Sequence, residues 1–271
     1  MSSLAFAPAD FKRADILQDM MCLACGSTSS PASKEHVFAA WLLSFLNAKS
    51  VSMGLFRRNT DGSSEPHRQA IALDSFRLNR LCENCNNGWM SRLEERVKPL
   101  VIALMTGGAK LESLDIEQRQ LLARWAGKTA IIESHAVGAE SPVDGALLQW
   151  MRACENDVPG RFAVAGCPSP HLVIGHLQVG VITDLLGGKT IAGNIVVLAL
   201  PNLVLTCAFP IPDLTDLSYR CKCDLSVYQP LWPDPASWTA MSDTPPLSQG
   251  DDVFGTLEAL AEKIELVHPM R

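Results

Sequence analysis

Two Cys-x-x-Cys pairs, Cys22/Cys25 and Cys82/Cys85, restrict the fold of this chain more than any other feature. Four thiolates supplied by two such pairs make a closed tetrahedral set for Zn²⁺, the usual composition of a structural zinc site. A fold that closes this set must bring the segments around residues 22 and 82 together. The chain has nine cysteines, an odd count that suits metal ligands plus buried thiols better than a disulfide framework. Residues 1–18 contain Asp10, Lys12, Arg13 and Asp15 and no continuous apolar run of the kind a secretory signal needs. A reducing, cytoplasmic location is therefore expected.

Lys34-Glu35-His36-Val37 lies between the two pairs, and Asn86-Asn87-Gly88-Trp89 follows Cys85 directly. A structural zinc alone calls for neither segment. Together with the cysteines they resemble the HNH endonucleases of the ββα-metal type in their zinc-stapled form, over roughly residues 20 to 95. The resemblance implies an N-terminal ββα-metal domain in which Glu35 and Asn86 hold a catalytic Mg²⁺ or Mn²⁺ and His36 is the general base on water. Asn87 is the second choice to Asn86 as ligand. Two positions depart from the family pattern: Ala39 stands where a proline is common, and Arg77 stands where the middle Asn falls, with Asn79 two residues later.

The chemistry explains why such residues would be grouped. Phosphodiester hydrolysis needs an activated water, a cation on the developing negative charge, and help for the leaving 3′ oxygen. A neutral His can serve the first need and one divalent metal the other two. A carboxylate plus an amide oxygen makes a hard, partly open site suited to Mg²⁺ or Mn²⁺. Adjacent residues on a strand point to opposite faces, so Glu35 and His36 reach one phosphate only if the strand end twists.

A net charge of −6 looks unsuited to DNA until it is divided along the chain. Residues 1–110 carry 13 Lys and Arg against 10 Asp and Glu, a net of +3, and residues 111–271 carry 10 against 19, a net of −9. Arg77, Arg80, Arg92 and Arg96 surround the second cysteine pair and are the candidate phosphate contacts, since such contacts need local cations rather than global charge. The most apolar stretch, Ile191 to Ile211, is long enough to cross a bilayer. It is interrupted by Pro201-Asn202 and rich in β-branched residues, so two buried strands joined by a turn, and no membrane span, are expected.

With 271 residues, 47% of them hydrophobic, the chain has enough apolar sequence for one large core or two modest ones. Helical spacing covers Phe38 to Asn47. Strands are expected at Val51 to Arg58 and Gln69 to Phe76, around a turn at Asn59 to Gly62. A helix should open at Asn86, with Trp89, Leu93, Val97, Leu100 and Leu104 on one stripe. Gly107-Gly108 reads as the boundary between a nuclease domain, 1–107, and an acidic α+β domain, 108–271. The second domain starts with a helix capped by Ser113 that buries Leu121, Leu122, Trp125, Thr129 and Ile132. A further helix is expected at Asp144 to Cys154, then strands at His171 to Gly175, Gln178 to Ile182, Ile195 to Leu200 and Leu203 to Phe209 in an antiparallel sheet. Pro-rich loops from Gln229 to Pro246 and a closing helix from Phe254 to Leu266 end the chain.

Other sites carry less. His67 is the one further histidine kept as a candidate, because it falls in the loop facing the proposed active site. Gly127-Lys128-Thr129 and Gly188-Lys189-Thr190 both lack the earlier Gly of a phosphate-binding P-loop. The sequence thus points to a metal-dependent HNH endonuclease or nickase on DNA, whose C-terminal half forms a homodimer, positions substrate or restrains cleavage. The alternative is a non-catalytic zinc module that binds nucleic acid or protein on an HNH scaffold.

Overall fold

A computed structural model describes residues 21–58, 64–137, 143–154, 162–168, 175–185, 189–210, 220–232, 238–240 and 264–267. The chain is mixed helix and sheet. It opens with β1 (Ala32–His36), α1 (Ala40–Phe45) and an antiparallel pair, β2 (Ser52–Arg58) and β3 (Ser64–Ala72). β4 (Arg77–Cys82) then returns antiparallel to β1, with His36 opposite Arg77 and Ala32 opposite Cys82. An irregularity between Ser33 and Glu35 shifts this register, so β4 uses one residue more than β1 over that step. At Cys82 the backbone is still extended; a helical turn follows at Glu83–Cys85, then Asn86–Met90, which kinks at the non-helical Gly88, then α2 (Ser91–Met105).

α3 (Ile116–Ala136) is the axis of the molecule. Leu122 through Ser134 are all buried, so the helix shows no solvent-facing side over that span. It packs against β4 and α2 on one side and against the larger sheet on the other. The stripe of Leu121, Leu122, Trp125, Thr129 and Ile132 expected from the sequence is only part of what is covered. Its N-cap is Asp115, not Ser113: Asp115 Oδ1 accepts from the Gln118 amide while Gln118 Oε1 accepts from the Asp115 amide, a reciprocal capping box. Ser113 instead closes the preceding 3₁₀ turn by donating to the Lys110 carbonyl.

α4 (Ala146–Ala153) precedes β5 (Ala163–Cys167), β6 (Gly175–Leu185), β7 (Lys189–Leu200), β8 (Leu203–Pro210), β9 (Arg220–Cys223), β10 (Gln229–Trp232), β11 (Trp238–Ala240) and β12 (Ile264–Val267). A five-stranded antiparallel sheet has the order β10-β5-β8-β7-β6, and a three-stranded sheet has the order β11-β9-β12 with β11 and β9 parallel. The apolar runs Ile195 to Leu200 and Leu203 to Phe209 are explained by burial of these strands on both faces. Val196, Leu198, Leu200, Leu203, Leu205, Cys207 and Phe209 face the main core, while Ile195, Val197, Ala199, Val204 and Ala208 face a second cluster with Tyr228 and Trp238. Pro201-Asn202 makes the expected turn; Asn202 takes a left-handed φ of 59°, and its side-chain amide donates to the Met105 carbonyl at the end of α2. No helix among the described residues is long and apolar enough to cross a membrane.

Several expected boundaries move. The strand read at Gln69 to Phe76 ends at Ala72, because Leu73–Ser75 turns in a 3₁₀ helix. Gln229–Trp232 and Trp238–Ala240, read as loops, are strands. The closing helix is wrong where it can be compared: Ile264–Val267 is a strand whose four successive residues lie opposite Cys223 to Arg220. Residues 254–263, the turn at Asn59 to Gly62 and residues 171–174 lie outside the described residues. Gly107-Gly108 does end α2 in a turn, with Gly107 at φ 76°. Packing does not part there, since one buried cluster runs from Cys22 to Leu231.

Candidate functional site

The first cysteine pair sits in a tight turn. The Cys25 and Gly26 amides donate to the Cys22 carbonyl, and Gly26 has a φ of 69° that a side chain would resist. The turn is fastened to β4 by a hydrogen bond from the Leu23 amide to the Arg80 carbonyl and by the Cys82 amide donating to Cys22 Sγ. The second pair straddles the strand-to-helix junction, with Cys82 ending β4 and Cys85 one helical turn on. All four sulfurs lie within 4.8 Å of one another, and Cys25 and Cys82, 57 positions apart in sequence, have theirs at 3.8 Å.

These distances fit a metal rather than disulfides. A tetrahedral Zn²⁺ with bonds of about 2.3 Å places its sulfurs about 3.8 Å apart, whereas a disulfide needs about 2.05 Å. All four cysteines are free thiols, and all but Cys25 are buried. Burial pushes the thiols of Cys22 and Cys85 up; it acts the same way on Cys82, but the Cys85 amide and the neighbouring thiols outweigh it and bring Cys82 to about 7. The donor set is therefore suited to a thiophilic cation such as zinc, whose binding would displace the remaining protons. Among the described residues no other group of three or more His, Cys, Asp and Glu is gathered in this way.

β1, which begins beside this junction with Ala32 opposite Cys82, carries Glu35 and His36 on opposite faces. His36 is half-buried at the surface, with Nε2 lying 3.5 Å from Asp74 Oδ1. Asp74 is held in turn by Arg77, whose Nε donates to the Asp74 carbonyl at 2.9 Å and whose Nη2 reaches Asp74 Oδ2 at 3.4 Å. Arg77, expected as a phosphate contact, thus supports the carboxylate that faces the histidine. Asp74 has no sequence signal that links it to His36: it lies in a 3₁₀ turn far along the chain, and the β1–β4 register brings the two together.

Glu35 points inward and is 7% exposed. Its Oε1 accepts from Lys128 Nζ at 3.0 Å, and the same ammonium donates to Glu94 Oε1 at 2.6 Å. Lys128 is fully buried in α3. Burial alone would favour its neutral form, but the charges of Glu94 and Glu35 outweigh that and raise its pKa. Asn86 is turned to β1, where its Nδ2 donates to Ser33 Oγ at 2.7 Å, while Asn87 is exposed. As arranged, Glu35 and Asn86 do not fit a Mg²⁺ or Mn²⁺ site: the carboxylate is already neutralised by a fixed ammonium, and that charge would repel a divalent ion beside it. The sequence carries no local signal for this role of Lys128, since its two partners lie 93 and 34 positions away along the chain.

The remaining candidates are dispersed. Arg80 is half-buried beside the first cysteine turn, Arg92 and Arg96 are exposed, and Asn79 is exposed on β4. His67 lies on β3. His135, in α3, contacts the Val143 carbonyl through Nε2 at 2.9 Å, and burial lowers its pKa, the state of a structural histidine. Compared with family models, with curated proteins and with solved structures, the chain matches none.

Proposed function

We propose that this chain is an HNH-type endonuclease or nickase acting on DNA, with His36 as its general base. The observation that carries the reading is the four-cysteine cluster at the junction between β4 and the following helix, with β1 and its His36 paired to β4. The reading is supported by β1, its antiparallel partner β4 and the helix that follows Cys85, with α1, β2 and β3 intervening between the two strands. The arginines at positions 80, 92 and 96 supply local cations for phosphates in the half of the chain with net positive charge.

In this reading His36 accepts a proton from water through Nδ1, water oxygen bonds to phosphorus, and the bond from phosphorus to the 3′ oxygen breaks, the 3′ oxygen keeping the bonding pair and taking a proton from solvent water. Asp74 faces the other ring nitrogen, so it orients the ring. Asp74 is a positioning residue. Contacts of this kind are often long in unliganded enzymes and tighten on substrate.

A non-catalytic zinc module is the second reading, and one observation favours it: Lys128 holds the carboxylate that a catalytic divalent metal would need. Supercoiled plasmid incubated with Mg²⁺ or Mn²⁺ separates the two. The nuclease reading expects cleavage by the wild type, a loss of about 10²–10⁴-fold in His36→Ala, and a smaller fall in kcat with little change in KM in Asp74→Ala, partly restored in Asp74→Glu. All three variants should keep the zinc content of the wild type. Absence of cleavage by the wild type, or equal cleavage by His36→Ala, would overturn it.

A further inference from the structure

The turn between Cys82 and Cys85 and the helix behind it form one wall of a concavity of about 420 Å³, with Asn84, Gly88, Trp89 and Arg92 on that side. The opposite wall is α4, which contributes Gln149 and Arg152. The two walls are far apart in sequence and belong to the basic and acidic halves of the chain. They are held together in part by packing of the first cysteine turn on α4: a Cβ at Gly145, just before α4, would overlap Leu23.

Its chemistry is specific. Two guanidinium groups from separate helices and two carboxamides line the space, and none of its lining residues is acidic. Guanidinium forks match phosphate oxygens in pairs, and carboxamide N–H groups donate readily to the same oxygens. The polar character of most of the lining argues against an apolar ligand. At Gly88 a side chain would meet nothing within 4 Å, so the glycine leaves the wall open there without any packing need for it. Gly88 itself is non-helical, with φ −93° and ψ −110°, so the helix kinks at this wall.

We propose that this pocket receives a backbone phosphate of the DNA strand, so that α4 belongs to the nucleic-acid surface. The acidic half of the chain then contributes directly to substrate binding through Arg152 and Gln149, rather than serving only assembly or control. This rests on the nuclease reading for its choice of a strand phosphate; the pocket itself is an anion site whichever polymer carries the anion.

Fluorescence anisotropy with a short labelled DNA duplex, without added divalent cation, tests it on the full zinc-loaded chain. Arg152 is exposed, so Arg152→Ala should fold, and unchanged zinc content and ellipticity verify that. Expected is roughly tenfold weaker binding at low salt, as for one lost charge-assisted contact, with the slope of log affinity against log salt shallower by about 1. Arg152→Lys should keep the wild-type slope and recover part of the affinity. Unchanged affinity and slope in Arg152→Ala, beside a wild type that binds, would overturn the pocket and leave the nuclease reading standing. A wild type that fails to bind the duplex would remove both. Equal affinity of the wild type for a labelled mononucleotide and the duplex would assign the pocket to free nucleotides and overturn the strand proposal.

Discussion

Lys128 shows how a single side chain can decide what a neighbouring motif is able to do. It is fully buried and joined to Glu35 and Glu94, so those two carboxylates have an ammonium between them. Removing one member of such a cluster leaves uncompensated charge in a poorly hydrated place, and Lys128→Met should destabilise the protein by about 3–5 kcal/mol at neutral pH. Its pKa is raised above the usual 10.5, so the folded state holds the proton more tightly than the unfolded state. The stabilisation is therefore complete below pH 10.5 and declines as pH rises through the higher folded value. Denaturant melts of wild type and variant should differ by a constant amount up to that point and converge above it. A gap that is unchanged at high pH, or absent at neutral pH, would show that the lysine is not the charged keystone of the cluster. Sequence made Glu35 and His36 visible because their spacing from the cysteines is local. Lys128 and Asp74 were not visible, since each acts through pairing and packing that only the folded chain brings about.

At the scale of elements, α3 departs furthest from its sequence pattern. Amphipathic spacing predicted one buried face, yet the helix is enclosed between the cysteine-bearing elements and the five-stranded sheet. Its polar residues are accommodated by specific partners: Arg124 donates to the carbonyls of Met151 and Cys154 at the end of α4, and Lys128 takes its two carboxylates. A period of 3.6 cannot reveal a helix whose polar positions are also buried. Gly127 belongs to the same enclosure. A Cβ there would come within 2.6 Å of the Phe162 ring, at the start of β5, and also crowd Met151. Alanine normally favours helices over glycine, by roughly 1 kcal/mol. Here Gly127→Ala should instead destabilise by about 1–3 kcal/mol, because the overlap lies against an aromatic ring fixed in the core. A thermal melt above that of the wild type would show that the contact relaxes easily. The β7–β8 hairpin was legible for the opposite reason. Pro201-Asn202 marks its turn, and double-faced burial needs only an unbroken apolar run, which a sequence displays directly.

Across the whole molecule, the division expected at Gly107-Gly108 fails as a division of cores. Cys22, Cys82 and Cys85 share one buried cluster with Val196, Leu205 and Leu231, and α3 joins the two sides. The apolar segments that prompted the expectation of a homodimer, Ile195 to Leu200 and Leu203 to Phe209, are buried within the chain's own sheet. A metal on the four cysteines then acts on the entire fold, not on an N-terminal part alone. Structural zinc contributes its binding free energy to folding because the unfolded chain has no assembled site. Protein purified without chelator should contain one zinc per chain. On denaturant titration, zinc release to a chromophoric chelator should coincide with loss of sheet ellipticity, as a single cooperative transition requires. Cys82→Ser should move both curves together to lower denaturant. Had the chain been built of two separate cores, zinc release would come first and the sheet would melt later and unchanged in the variant. That outcome would restore the boundary at Gly107-Gly108; coincident curves would place the cysteine cluster and the five-stranded sheet in one folding unit, joined through α3.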